Sequence, residues 1–162
     1  MVTITPNLWF DDNAEQAAQF YVSVFPDSHI SGVQRYTEAG PGTPGTAVTV
    51  DFVLDGNRFI GINGGPHVHF NEAVSFAIEC ADQAESDRYW AALTADGGSE
   101  SQCGWLKDKF GLSWQVYPRQ LNDLLADPDP GRAQRATAAM LGMRRIDIAA
   151  IRAAADAGDR PA

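Results

Sequence analysis

Apolar and polar positions follow one order of predicted elements that occurs twice along the chain. The first copy predicts a strand, a helix and three more strands, in that order, over residues 3–10, 14–25, 28–36, 47–54 and 58–63. The helix repeats apolar residues at the spacing of a single face, at Ala17, Phe20, Tyr21 and Val24. Asp55-Gly56-Asn57, between the last two strands, favours a tight hairpin turn.

The same order starts again at residue 73. The second copy predicts a strand, a helix and three short strands, over residues 73–80, 83–95, 99–105, 106–110 and 113–117. When the second helix is laid on the first, Tyr89 falls on Phe20 and Trp90 falls on Tyr21. We therefore predict an internal duplication, with one βαβββ module over 1–66 and a second over 67–118.

Residues 119–162 change character and predict a helical C-terminal arm. Asp127-Pro128-Asp129-Pro130 begins a helix with proline in its first turn, and Gly142 is placed to end it. Asp147 is placed to cap a further helix over 148–157. Six apolar residues crowd the junction between these helices: Met140, Leu141, Met143, Ile146, Ile148 and Ile151. Because isolated helices of this length are marginal in water, the arm must dock, either on its own module or on a second subunit.

Composition excludes several classes of partner. Of the 162 residues, 44% are apolar and 20% charged, which is ordinary globular usage and excludes disorder. The net charge of −9 repels phosphate backbones and anionic lipid, so we expect no nucleic-acid or membrane partner. The start, MVTITPNLWFDDN, lacks the basic region of a signal peptide, so we expect a cytoplasmic protein. Cys80 and Cys103 form no C-x-x-C pair and are expected to be free thiols.

Five segments carry a resemblance to a known family: ITPNLWFDDNAEQAAQFYVSVFPDS (4–28), NGGPHVHFNEAVSF (63–76), DRYWAAL (87–93), CGWLKDKFGLSWQVYPR (103–119) and DPDPGRAQRATAAMLGMRRIDIA (127–149). They resemble the PhnB-like branch of the vicinal-oxygen-chelate superfamily, which includes glyoxalases, bleomycin-resistance proteins and dioxygenases. Members of this branch are commonly labelled 3-demethylubiquinone-9 3-methyltransferase domain proteins. The resemblance implies an α+β fold of two βαβββ half-barrels and a homodimer, and it favours an arm that latches two subunits together.

The resemblance also implies where a metal would lie. In metal-using members the ligands are usually His and Glu, sometimes Gln, from the first and last strands of each module. The equivalent positions here are Asn7, Ile60, Phe76 and Gln115, of which Gln115 alone could ligate. We therefore expect no metal, although a divalent ion is not excluded. His67-x-His69 has a metal-like spacing without an evident third ligand.

Candidate binding residues follow from the same fold. The walls of the cavity are expected to include Trp9, Phe76, Trp105, Trp114 and Gln115, and the turn at Asn63 could offer amides to a ligand oxygen. The weak catalytic candidates are His67 and His69 as hydrogen-bonding or acid–base groups, Cys103 as a nucleophile and Lys109 as a group that polarises a carbonyl. Their structural alternatives are a polar linker, a small buried residue and a solvated strand face.

The sequence is compatible with three functions. The leading hypothesis is a protein that binds, with or without transforming it, a small apolar or aromatic molecule in a metal-poor cavity. The first alternative is a metal-dependent isomerase, lyase or dioxygenase. The second is a methyltransferase acting on a ubiquinone precursor, but no glycine cluster has the G-x-G-x-x-G pattern between a strand and a helix. We therefore expect no cofactor and doubt S-adenosylmethionine.

Overall fold

Each half of the chain folds as a strand, a helix and three further strands. The computed structural model describes residues 2–159 and divides into two units, 1–70 and 71–162. The first unit contains β1 (Asn7–Phe10), α1 (Ala14–Val24), β2 (His29–Arg35), β3 (Ala47–Leu54) and β4 (Asn57–Asn63). The second contains β5 (Phe76–Cys80), α2 (Gln83–Thr94), β6 (Ser99–Glu100), β7 (Trp105–Lys107) and β8 (Ser113–Pro118). The arm of the second unit adds α3 (Gln120–Leu125), α4 (Pro130–Leu141) and α5 (Ile148–Asp156).

In the first unit, α1 packs on one face of a four-stranded sheet. The strand order is β1-β4-β3-β2, with β1 parallel to β4 and the other pairs antiparallel. Tyr21 of α1 stacks on Phe52, and Phe52 stacks on Phe59 at a centroid distance of 5.5 Å. Because side chains alternate along a strand, the residues on either side of these buried ones lie on the face turned away from the helix. We call this the distal face of the sheet. It carries Asn7, Trp9, Thr49, Asp51, Val53, Ile60 and Ile62.

The second unit repeats this arrangement with shorter strands. Its sheet has the order β5-β8-β7-β6, with β5 parallel to β8. The buried face lies against α2, whose Tyr89, Trp90 and Leu93 are buried. The distal face of this sheet carries Ala77, Glu79, Trp105, Lys107, Ser113, Gln115 and Tyr117. The predicted α+β class, with two βαβββ modules and a helical arm, is confirmed.

The arm packs on its own unit, which is one of the two arrangements that the sequence leaves open. Its buried side chains form one cluster: Leu121, Leu124, Ala136, Ile146, Ile151 and Ala155. The backbone N–H groups of Cys103 and Gly104 donate to the carbonyls of Met143 and Arg144 at 2.8 and 2.7 Å. Of the six apolar residues that predicted docking, all but Leu141, which is 60% exposed, are buried in this cluster or pack against it. No helix in residues 2–159 is long and apolar enough to cross a membrane.

Two side chains of α2 fix the arm further. Gln83 donates from Nε2 to the carbonyl of Ile146 and accepts at Oε1 from the backbone N–H of Ile148, both at 2.8 Å. Asp87 forms an ion pair with Arg145.

Gly104 has φ +84°, and a Cβ there would lie 2.9 Å from the carbonyl oxygen of Val116. Glycine at this position therefore allows the arm, the 103–104 turn and β8 to approach one another closely.

Candidate functional site

The distal face of the second sheet brings an aromatic residue and three polar residues together. In the β7–β8 ladder Trp105 lies directly opposite Gln115, and Lys107 lies directly opposite Ser113. Residues directly opposite in a sheet share a face and lie within side-chain contact distance. We call this group of four residues the β7–β8 patch. Ala77 of β5 lies beside Gln115 and leaves space there, because its side chain is a single methyl group.

Ser75 and Glu72, which precede β5, contact two polar members of the patch. Gln115 donates from Nε2 to Oγ of Ser75 at 2.9 Å. The Lys107 ammonium lies 2.5 Å from Oε1 of Glu72, whose side chain is 63% exposed. Hydrogen bonding to Lys107 is the main cause that holds the pKa of Glu72 below its ordinary value. The patch therefore combines a positive charge, a primary amide and a hydroxyl around a half-buried indole.

Ser113 differs from the other members of the patch. It is only 1% exposed, and its hydroxyl has no hydrogen-bond partner within residues 2–159. Buried polar groups are nearly always hydrogen-bonded, since leaving one unsatisfied is costly. The patch therefore holds an unused donor and acceptor.

The arm occupies the other end of this distal face. Asn122 of α3 donates from Nδ2 to Oε2 of Glu79 at 3.0 Å. Tyr117, which lies opposite Glu79 in the β5–β8 ladder, packs against the apolar cluster of the arm. The carboxylate of Glu79 is thus engaged by the arm, and the β7–β8 patch lies on the part of the face that these arm contacts do not include.

The first unit places Trp9 on its own distal face, next to a glycine turn. Trp9 is 36% exposed, and its indole N–H donates to the carbonyl of Gly65 at 2.9 Å. A Cβ on Gly64 would lie 2.1 Å from the indole ring, so the ring rests on the backbone of the turn. Trp9 therefore holds the segment that follows β4, which gives it a structural role beside any contact with a ligand.

Phe76 and Trp114 lie between the second sheet and α2, in contrast to the expectation that they line a cavity. They are direct partners in the β5–β8 ladder, and their ring centroids are 5.7 Å apart. Trp114 is 3% exposed, and its indole N–H donates to Oδ2 of Asp108 at 2.9 Å. The physical reason is the two-residue period of a strand, which places Trp114 and Gln115 on opposite faces.

Asn63 uses both ends of its amide within the first unit. Its Oδ1 accepts from the backbone N–H of Ala14 at 2.8 Å, and its Nδ2 donates to the carbonyl of Ala47 at 3.1 Å. The side chain thereby caps the start of α1, a role that the adjacent Asn13 does not fill. Asn63 also borders an acidic cleft of about 520 Å³, whose other lining residues include Asp11, Asp12, Glu15, Arg35, Tyr36 and Thr46.

The four weak catalytic candidates are not brought together with the patch. His67 and His69 are exposed in the segment that follows β4. Cys103 is half-buried at a turn with φ +55°, and its backbone N–H is bonded to the arm. Lys109 lies beyond the end of β7, with its ammonium 3.9 Å from Oδ2 of Asp96.

Sequence reasoning missed three residues of the site. Lys107 is the lysine on the distal face, whereas the sequence pointed to Lys109 and gave no indication of Ser113 or Glu72. A signal for Lys107 existed, since Trp105 and Lys107 are two residues apart and must share a face of any strand that contains both. No pattern in the sequence indicated Ser113, because its special feature is burial without a partner.

The residues at the family's metal positions do not fit a divalent ion. Asn7 lies beside Ile60 in the β1–β4 ladder, and Gln115 lies beside Ala77 in the β5–β8 ladder. An amide with an aliphatic neighbour offers neither the carboxylate nor the imidazole ligands that hold such ions. Within residues 2–159 no group of three or more His, Cys, Asp or Glu side chains is placed to hold a metal ion.

The connections from strand to helix do not fit the usual S-adenosylmethionine site either. That site needs a glycine-rich turn between a strand and the helix after it. Here β1 is joined to α1 by Asp11-Asp12-Asn13, and β5 is joined to α2 by Ala81-Asp82. Neither connection contains glycine, so neither offers the close backbone approach that such a ligand requires.

The two cysteines should differ sharply in reactivity. Burial, as the main cause, raises the pKa of Cys80 from 9.0 to about 11. We expect iodoacetamide at pH 8 to modify Cys103 first and Cys80 only on unfolding, as measured by peptide mass spectrometry. The raised pKa means that the folded state resists ionisation of Cys80. The stability that this contributes is complete below about pH 9 and is lost as pH rises toward 11.

The matched variants for this prediction are Cys80→Ala and Cys103→Ser. Cys80→Ala should flatten the loss of stability between pH 9 and 11, and Cys103→Ser should remove the alkylation expected in the folded protein at pH 8. Stoichiometric alkylation of Cys80 at pH 8 in the folded protein would contradict this interpretation.

Comparisons with known proteins identify the family. The family model described as 3-demethylubiquinone-9 3-methyltransferase matches residues 2–117, so the arm lies beyond the matched region. A putative 3-demethylubiquinone-9 3-methyltransferase, PhnB protein, from Bacillus cereus is 33% identical with a TM-score of 0.66; the match covers 72% of this chain and 99% of that one. The comparison with curated proteins finds no match.

Two further solved structures are similar. Protein PA1353 from Pseudomonas aeruginosa has a TM-score of 0.60 at 19% identity, and the match covers 73% of this chain and 98% of that one. A glyoxalase/bleomycin resistance protein from Albidiferax ferrireducens T118 has a TM-score of 0.43 at 18% identity, over 69% and 94% of the two chains. The family model and the Bacillus relative decide the assignment: the chain belongs to the PhnB-like 3-demethylubiquinone-9 3-methyltransferase family.

Proposed function

We propose that this protein binds a small aromatic molecule at the β7–β8 patch, on the distal face of its second unit. The observation that carries the proposal is the juxtaposition of Trp105 and Gln115 beside Lys107 and Ser113. Sites for small molecules are mostly apolar and are oriented by a few polar groups. A half-buried indole offers a planar ring a stacking surface, and the amide and hydroxyl offer hydrogen bonds at its edge.

The contacts around the patch support a ligand of limited size. Glu79 and Tyr117 are engaged by the arm at one end of the face. Ser75 and Glu72 contact the patch from the segment before β5. A molecule of one or two fused rings suits the surface that these contacts leave on the distal face.

The two alternative functions lack a supporting observation. A metal-dependent isomerase, lyase or dioxygenase needs ionic or imidazole ligands, whereas the expected positions hold Asn7, Ile60, Phe76 and Gln115. The register places Ala77, not Phe76, beside Gln115, and alanine offers no ligand either. The methyltransferase alternative rests on the name of the family, and the strand–helix connections lack its glycine-rich turn. One equivalent of Fe, Mn, Ni or Zn in protein purified without an affinity tag would instead favour the metal-dependent enzyme.

Trp105→Ala should weaken binding of 2-naphthol at least fivefold, as measured by isothermal titration calorimetry. The reason is that the substitution removes the stacking surface, whereas the half-buried ring adds little to the core. The free energy of unfolding should therefore fall by no more than about 1.5 kcal/mol.

Trp90→Phe is the matched control. Trp90 belongs to α2 and is buried against the other face of the same sheet. Its Nε1 donates to Oε1 of Glu100 at 2.8 Å. This variant should lose stability and keep the affinity of the native protein. An unchanged affinity in Trp105→Ala, or a stability loss of about 3–5 kcal/mol typical of a core aromatic, would refute the proposed site.

A further inference from the structure

We infer that Lys107 and Ser113 of the β7–β8 patch recognise an anionic oxygen, so that the ligand is an aromatic carboxylate. This inference rests on the proposed function and assigns its substrate class. It is carried by the Ser113 hydroxyl and the Lys107 ammonium, which the β7–β8 ladder places directly opposite each other on the distal face.

Ser113 supplies the first observation. Its hydroxyl is buried and has no partner in the part of the chain that the structure describes. Trp114 and Val116 lie on the side of α2, so alternation turns the Ser113 side chain to the distal face. A ligand oxygen bonded to this hydroxyl would satisfy a group that the fold leaves unsatisfied.

Lys107 supplies the charge. Antiparallel partners on one face have Cβ atoms roughly 4.5–5.5 Å apart, so the ammonium and the hydroxyl can reach the two oxygens of one carboxylate. Glu79, the acidic residue on the same distal face, is bonded to Asn122 at the end that the arm covers. Its charge is therefore partly compensated and lies away from the patch.

Glu72 holds the place that the ligand would take. Its carboxylate pairs with Lys107, yet it is mostly exposed and belongs to a segment outside the strands. Exposed ion pairs contribute little to stability, so the exchange of Glu72 for a ligand carboxylate costs little. The carboxylate of Glu72 thus acts as an internal competitor for the Lys107 ammonium.

The spacing of Trp105 and Lys107 sets the shape of the ligand. Residues two apart on a strand are roughly 6.6 Å apart along it. A ring stacked on Trp105 and a carboxylate at Lys107 are therefore separated by a distance that a bicyclic aromatic acid spans. Gln115, opposite Trp105, lies at the edge of such a ring.

The test compares 2-naphthoate with its neutral methyl ester by isothermal titration calorimetry. The native protein should bind the acid at least tenfold more tightly than the ester. Lys107→Gln should weaken the acid about tenfold and the ester less than twofold. Ser113→Ala should weaken the acid two- to fivefold without lowering the melting temperature, because the hydroxyl that it removes has no partner.

Glu72→Gln should increase the affinity for the acid, a result that a misfolded variant cannot produce. Removing the competing carboxylate should tighten 2-naphthoate two- to fivefold and leave the ester unchanged. Equal affinities for acid and ester, or a Lys107→Gln variant that loses both equally, would overturn the inference and leave the aromatic site standing. If neither compound binds the native protein, the proposed function fails together with the inference.

Discussion

Asp108→Ala should lower the free energy of unfolding by about 3–5 kcal/mol, one of the two largest effects expected in this chain. Asp108 is 2% exposed, and its Oδ1 accepts from the backbone N–H groups of Phe110 and Leu112 at 2.8 and 3.1 Å. Its Oδ2 accepts from the indole of Trp114 at 2.9 Å. Alanine would leave three donors without this acceptor in the β7–β8 turn. Urea denaturation followed by circular dichroism measures the loss.

Asp108→Asn separates the two halves of this network. An asparagine can keep its amide oxygen toward the N–H groups of Phe110 and Leu112. Its NH₂ group, a donor, would then face the indole N–H of Trp114, which is also a donor. We expect an intermediate loss of roughly 1–3 kcal/mol, which becomes smaller in a Trp114→Phe background. A loss below about 1 kcal/mol in Asp108→Ala would show that the turn holds without the carboxylate.

The same aspartate explains how far the strands could be predicted from sequence. Alternating residues predicted one strand over 106–110, but the carboxylate of Asp108 binds the backbone two and four residues ahead and turns the chain. β7 therefore ends at Lys107, and Lys109 lies outside it. In the same way the strand predicted over 99–105 breaks at the turn of Cys103 and Gly104. The order of elements was predictable. Their ends depended on the Asp108 carboxylate and on the backbone hydrogen bonds of Cys103 and Gly104 to the arm.

The candidate site was predictable only in part, because periodicity does not say which face is buried. In Ser113-Trp114-Gln115-Val116-Tyr117 either alternate set could face the helix. Trp114 lies on the buried face of the sheet. The alternate residues Gln115 and Ser113 therefore lie on the distal face. The sequence predicts Trp105 and Gln115. Lys107 shares a face with Trp105 only where one strand contains both, and the boundary predicted between 105 and 106 separates them.

Ile146→Ala should lower the free energy of unfolding by about 3 kcal/mol and leave the sedimentation coefficient unchanged. Ile146 is fully buried in the apolar cluster of the arm, and its Cγ1 lies 3.1 Å from a Cβ position on Gly104. Because the arm docks within its own unit, removing this contact opens a cavity in that unit. The homodimer that the family resemblance implies stays a prediction, and on this account it does not depend on the arm.

Leu141→Ala is the matched control, since Leu141 belongs to the same arm and is 60% exposed. It should change the free energy of unfolding by no more than about 0.5 kcal/mol. Denaturation and sedimentation velocity of both variants at two protein concentrations separate the two arrangements of the arm. If Ile146→Ala kept its stability but dissociated into monomers, the arm would act between subunits. A loss of stability that is independent of concentration is what packing within one unit requires.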